Sequence, residues 1–93
     1  MRHAMRLMGR HRLCELASSN GGSVACAVSA LSFELEAAEW AEPWDALDAF
    51  PKAELSGCRV RIPLPDGYLV TLALNCIAGI ALVEFAGQDS GRA

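Results

Sequence analysis

The sequence predicts a mainly β domain: a small antiparallel sheet or barrel carrying one short helix. Three observations carry that expectation. Residues 57–86 alternate apolar and polar side chains, or are apolar on both sides, and turn residues cut them into pieces of strand length. Residues 23–36 also alternate, but change phase part-way. Residues 38–52 switch to helical spacing beside two prolines.

The bulk numbers bound the answer. A chain of 93 residues is one domain, and at this size only about 60–65% of the unfolded surface is buried. With 53% hydrophobic and 20% charged residues, disorder is excluded. The net charge of −3 is unevenly spread. Residues 1–12 hold Arg2, Arg6, Arg10, Arg12, His3 and His11 and no acid, whereas residues 34–54 hold Glu34, Glu36, Glu39, Glu42, Asp45, Asp48 and Glu54 against Lys52 alone. A basic arm suits anions, and the acidic stretch reads as a solvated face. The expected organisation is a basic arm at 1–12, a β domain at 13–87 and a flexible tail at 88–93.

Taken in order, residues 13–17 form a first short strand, and Ser18-Ser19-Asn20-Gly21-Gly22 turns it into a hairpin. In the next segment Val24, Cys26, Val28 and Ala30 occupy even positions, while Leu31, Phe33 and Leu35 occupy odd ones. One regular strand cannot keep both sets on one face, so a corner or bulge is expected near residues 29–32. Trp40, Trp44 and Leu47 then fall at i, i+4 and i+7, with Phe50 beyond, Pro43 in the first turn and Pro51 at the stop. That predicts a short amphipathic helix over 43–50 with its tryptophans inward. Alternatively, Trp40 and Trp44 form an exposed docking ridge.

Val60 and Ile62 alternate with Arg59 and Arg61, a half-buried strand with a basic outer face. Pro65-Asp66-Gly67 is a turn. Residues 68–75 are apolar on both sides, as a central strand covered on each face would be. In residues 80–86, Ala81, Val83 and Phe85 alternate with Leu82 and Glu84 as a closing strand.

Catalytic and metal chemistry find no motif. Cys14, Cys26, Cys58 and Cys76 make no C-x-x-C pair, and neither histidine lies at zinc-ligand spacing from two of them. They are expected to be reduced, buried thiols of a cytoplasmic protein. No G-x-G-x-x-G or G-K-[ST] occurs, and His3 and His11 have no triad partner nearby in sequence. No apolar run approaches the ~20 residues of a membrane span. The expectation is a non-enzymatic module without a cofactor.

Six short strands, the basic arm, the broken alternation and the closing GIALVEF at residues 79–85 together resemble the PilZ family. Arg6-Leu-Met-Gly-Arg10 fits that family's Arg-x-x-x-Arg motif, with Arg2 to Arg6 as an alternative register. Ser32 matches the serine of its Asp/Asn-x-Ser-x-x-Gly motif, whereas Ala30 and Leu35 replace the first and last residues. The resemblance implies a six-stranded antiparallel barrel that binds the bacterial second messenger cyclic di-GMP. Arg6 and Arg10 would clamp phosphates and guanine faces, Arg12 would assist, and Ser32 would offer its hydroxyl. The amide or carboxylate lost at Ala30 would weaken such a site by about 1–3 kcal/mol. The competing expectation is a degenerate member that ignores the nucleotide and engages a protein, through the Trp40/Trp44 helix or a strand edge. Nucleic acid ranks third: the arm, Arg59 and Arg61 are basic, but the domain is acidic and lacks an aromatic platform flanked by bases.

Overall fold

A computed structural model of the chain describes residues 5–88. The elements run β1 (Arg6–Met8), α1 (Arg10–Asn20), α2 (Gly22–Ala37), α3 (Asp45–Ala49), β2 (Glu54–Ser56), β3 (Arg59–Pro63), β4 (Tyr68–Asn75) and β5 (Ile80–Gln88), with a 3-10 turn at Pro65–Gly67 between β3 and β4. The strands form one sheet in the order β1-β5-β4-β3-β2. All neighbours are antiparallel except β1, which runs parallel to β5. The sheet is open, with β1 and β2 at its edges, and the six-stranded antiparallel barrel does not form. The molecule is a mixed α/β fold in two layers.

The error lies in residues 13–36, read as strands and found as a helical hairpin. In α2 the buried residues are Val24, Val28, Leu31 and Leu35, spaced by four, three and four, which is one face of a helix. Sampled at period two, the same four residues fall first on even and then on odd positions. The phase break was therefore the trace of a 3.6-residue repeat, and no bulge or corner lies at residues 29–32. Cys26, Ala30 and Phe33, which completed the apparent alternation, are exposed. Ala25, Ala27 and Ala30 inside the segment add helix propensity. In α1, Leu13 and Leu16 are the buried pair. The turn expected at Ser18–Gly22 shrinks to Gly21 between the two helices, with Ser18, Ser19 and Asn20 ending α1 and Gly22 starting α2. Gly21 has φ 64° and its N–H donates to the Ala17 carbonyl at 3.0 Å, closing α1, the usual role of glycine after a helix.

Residues 5–12, expected as an arm, are built into the domain. Met5 is buried and its N–H donates to the Ala38 carbonyl at 2.8 Å. Arg6–Met8 is an edge strand and Arg10 begins α1. Arg2 and His3 lie outside the described residues, as do tail residues 89–93, while Gln88 still belongs to β5.

The helix expected over 43–50 exists as the shorter α3. Its tryptophans divide: Trp40 is buried, edge-on to Phe50 with ring centroids 6.3 Å apart, whereas Trp44 is 59% exposed. The Asp45 carboxylate accepts the Ala41 and Glu42 N–H groups at 2.9 and 3.1 Å, fixing the turn between them.

The three strands of the C-terminal meander, β3, β4 and β5, form where the sequence places them. Val60, Ile62, Val70, Leu72, Leu74, Ala81 and Val83 face the helices and join Leu13, Leu16 and the four α2 residues in one core. A polar clip ties the helical hairpin to the β3–β4 turn. Ser23 Oγ donates to Asp66 Oδ2 at 3.1 Å, and Tyr68 Oη donates to Asn20 Oδ1 at 2.6 Å. Both layers are thus held at their common end, with Asp66 in the left-handed region at φ 62°. The cysteines are free as expected, but Cys14, Cys26 and Cys58 are exposed and Cys76 half-buried rather than core. Cys14 is exposed on α1, and Cys26, which the period-two reading grouped with Val24 and Val28, falls on the outer face of α2. Among the described residues no helix is long and apolar enough to cross a membrane.

Candidate interaction surface

Helices cover only one face of the sheet. The other carries Arg6 and Met8 from β1, Leu82, Glu84 and Phe85 from β5, Leu69, Thr71 and Ala73 from β4, and the two β3 arginines, with Glu54 at the β2 edge. The alternation that sends Leu7, Val83, Leu72 and Val60 into the core fixes these neighbours outward. β4 is the central strand, as its double-sided apolarity predicts, but among the described residues no helix covers its second face.

Phe85 reaches that face through a bulge. Leu72 pairs with Val83 and Thr71 with Phe85, so Glu84 is an extra residue in β5. The insertion reverses the phase of everything after it. Phe85, read from sequence as sharing the face of Ala81 and Val83, instead lies on the uncovered one. Its ring occupies the space that a Cβ on Gly87 would need, 3.1 Å from the ring edge. Leu69 beneath this part of the sheet is buried without belonging to the main core.

The result is an apolar strip bordered by ion pairs. Met8, Leu82 and Phe85 are 45%, 41% and 44% exposed, large values for residues inside a sheet. Met8 and Leu82 are direct cross-strand partners. Arg59 reaches across β4 to Glu84, its Nε donating to Oε1 at 3.0 Å. Arg61 pairs with Glu54 directly opposite, at 3.3 Å. Exposed pairs of this kind contribute at most about 1 kcal/mol each, but they fix the charge pattern of the rim.

The expected ligand residues do not converge. Arg6 lies on the uncovered face at its β1 edge. Arg10, the first residue of α1, forms an ion pair with Glu36 near the end of α2. Arg12 lines a cleft of about 260 Å³ between α1 and β5, with Glu15, Leu16, Ser19, Phe85 and Ala86. Ser32 is half-buried within α2, so the strand junction on which its motif assignment stood is absent. Sequence reasoning missed Met8, Leu82 and Phe85 as surface residues. The available signal was β4 itself, apolar on both sides.

Neither a protein-family model nor a curated protein matches the chain. Fold and surface define it as a two-layer mixed α/β domain with one uncovered, partly apolar sheet face.

Proposed function

We propose that the chain is a non-enzymatic binding module that receives a protein partner on the helix-free face of its sheet. The observation that carries this reading is the strip Met8, Leu82 and Phe85 beside the central strand. Apolar side chains grouped on an exposed sheet face mark candidate contact sites, and Met and Phe are enriched at the cores of interfaces. Arg59 and Arg61 are matched by Glu84 and Glu54, so on the β3 side the apolar centre has a charge-balanced rim, with Arg6 at the β1 edge. That pattern suits a protein surface better than a polyanion.

Site-specific photocrosslinking in the producing cells tests it. With the crosslinker at position 82, a discrete adduct is expected that disappears when Phe85→Lys is combined with it. The same crosslinker at position 33, on the outer face of α2, should give no such adduct. Equal labelling at both positions, or none at position 82, refutes the reading.

A second reading has its own observation. Arg12 and Phe85 both line the cleft between α1 and β5, and a guanidinium suits a planar anion such as a nucleotide. In this version the candidate ligand is cyclic di-GMP, held by Arg12 rather than by an Arg6–Arg10 clamp. Calorimetric titration should give heat that Arg12→Ala removes and Arg6→Ala leaves in place. No heat at high-micromolar ligand eliminates this reading.

A further inference from the structure

Cys58 and Cys76 lie apart from that face, on the helix-bearing side. Cys58 immediately precedes β3, and Cys76 follows the last residue of β4. The Leu74 N–H donates to the Cys58 carbonyl at 2.8 Å, and Arg59 is registered opposite Ala73. Cys58 therefore sits beside Leu74, two residues short of Cys76 along the same face. Both cysteines line one cleft of about 530 Å³ that also includes Glu42, Pro43, Leu74 and Ile77. Both thiols are free, Cys58 exposed and Cys76 half-buried. Burial raises the Cys76 thiol above its ordinary pKa, with further contributions from Glu42, Asp45 and Cys58, so the two sulfurs stand within electrostatic reach of each other.

We propose that Cys58 and Cys76 form a dithiol modification site that closes to an intramolecular disulfide by exchange with a small-molecule disulfide. Accessibility sets the order. The Cys58 thiolate attacks one sulfur of the small disulfide, forming a mixed disulfide and releasing one thiolate. The Cys76 thiolate then attacks the Cys58 sulfur, forming the internal bond and releasing the second. Two protein thiols are oxidised, the small disulfide is reduced, and the two protons given up by Cys58 and Cys76 end on the two released small thiols. Diagonal neighbours on adjacent strands lie about 7–8 Å apart, slightly beyond the ~4.4–6.8 Å Cα separation of a disulfide. The β4–β5 turn can supply the difference: Ile77 is fully exposed, and Gly79 has φ 72°. The negative charges around Cys76 slow the second step by keeping its thiol protonated.

The full-length chain carrying Cys14→Ser and Cys26→Ser, treated with oxidised glutathione, tests this. Intact mass should fall by two hydrogens, and peptide mapping should join residues 58 and 76. The Cys76→Ser variant should stop at one glutathione adduct on Cys58. Adding Glu42→Gln should accelerate closure roughly two- to threefold, the gain in thiolate being partly offset by its lower nucleophilicity. Failure to close, whether the chain stays reduced or carries two separate glutathione adducts, overturns the proposal. An unchanged rate in Glu42→Gln overturns the assignment of Cys76 as the resolving thiol.

Discussion

Leu35→Ala should destabilise the domain by about 2–5 kcal/mol, while Phe33→Ala, two residues earlier, should change it by no more than about 0.5 kcal/mol. Leu35 is fully buried against the sheet, whereas Phe33 is 74% exposed on the opposite side of α2. The loss at Leu35 has two parts: the transfer free energy of the deleted methyl groups, and a cavity that a rigid helix–sheet interface cannot refill. A small domain has a total stability of about 5–15 kcal/mol, so Leu35→Ala removes a large fraction of it. Equilibrium urea denaturation of the two variants is the measurement. The contrast also discriminates between secondary structures. On a strand, Leu31, Phe33 and Leu35 share a face and both substitutions cost alike; on α2, only Leu35 and Leu31 do. Comparable losses at positions 33 and 35 would contradict the helix.

The same residues show which parts of the fold were legible and which were not. β3, β4 and β5 are contiguous, joined by short turns and paired antiparallel in chain order, so up to the bulge in β5 local pattern and tertiary pairing agree. Residues 23–36 satisfy two patterns at once. Val24, Cys26 and Val28 suit period two; Val24, Val28, Leu31 and Leu35 suit 3.6. The segment is so rich in alanine and other apolar residues that its outer face is nearly as apolar as its inner one. Length should have decided the matter: sixteen residues without a turn signal exceed an ordinary strand and fit a helix. The parallel placement of β1 beside β5 was beyond local reading altogether, because the pairing spans the whole chain. On the uncovered face, Leu82 was visible as an apolar residue out of phase, but Phe85 was not. Its side depends on a bulge, and no local feature of the run IALVEF announces an inserted residue.

Gly9→Ala should be the second severe substitution, because Gly9 is where β1 turns into α1. Its φ is +77°, and a Cβ there would lie 2.8 Å from the Val83 carbonyl oxygen and 3.4 Å from the Val83 Cβ. The left-handed conformation alone costs an L-residue about 1–2 kcal/mol. The contact adds to it, because the oxygen is backbone within β5 and cannot rotate aside as a side-chain tip could. Relief requires β1 and the start of α1 to lift from β5. That strains the parallel pairing of Arg6–Met8 with residues 80–82 and the hydrogen bonds from the Met5 and Arg6 N–H groups to Ala38 and Gly79. Gly57→Ala is the matched control: Gly57 has φ +63°, but nothing lies within 4 Å of the added Cβ, so only the conformational cost applies. Gly9→Ala should therefore lose more stability than Gly57→Ala in urea, and hydrogen exchange at Met5 and Arg6 should accelerate in the first variant only. Because Met8 is carried on this strand, the same change should weaken any adduct formed at position 82. Equal losses in the two variants, with Met5 and Arg6 still protected, would mean that the β1–α1 turn does not rest on Val83 and that the edge of the uncovered face is set elsewhere.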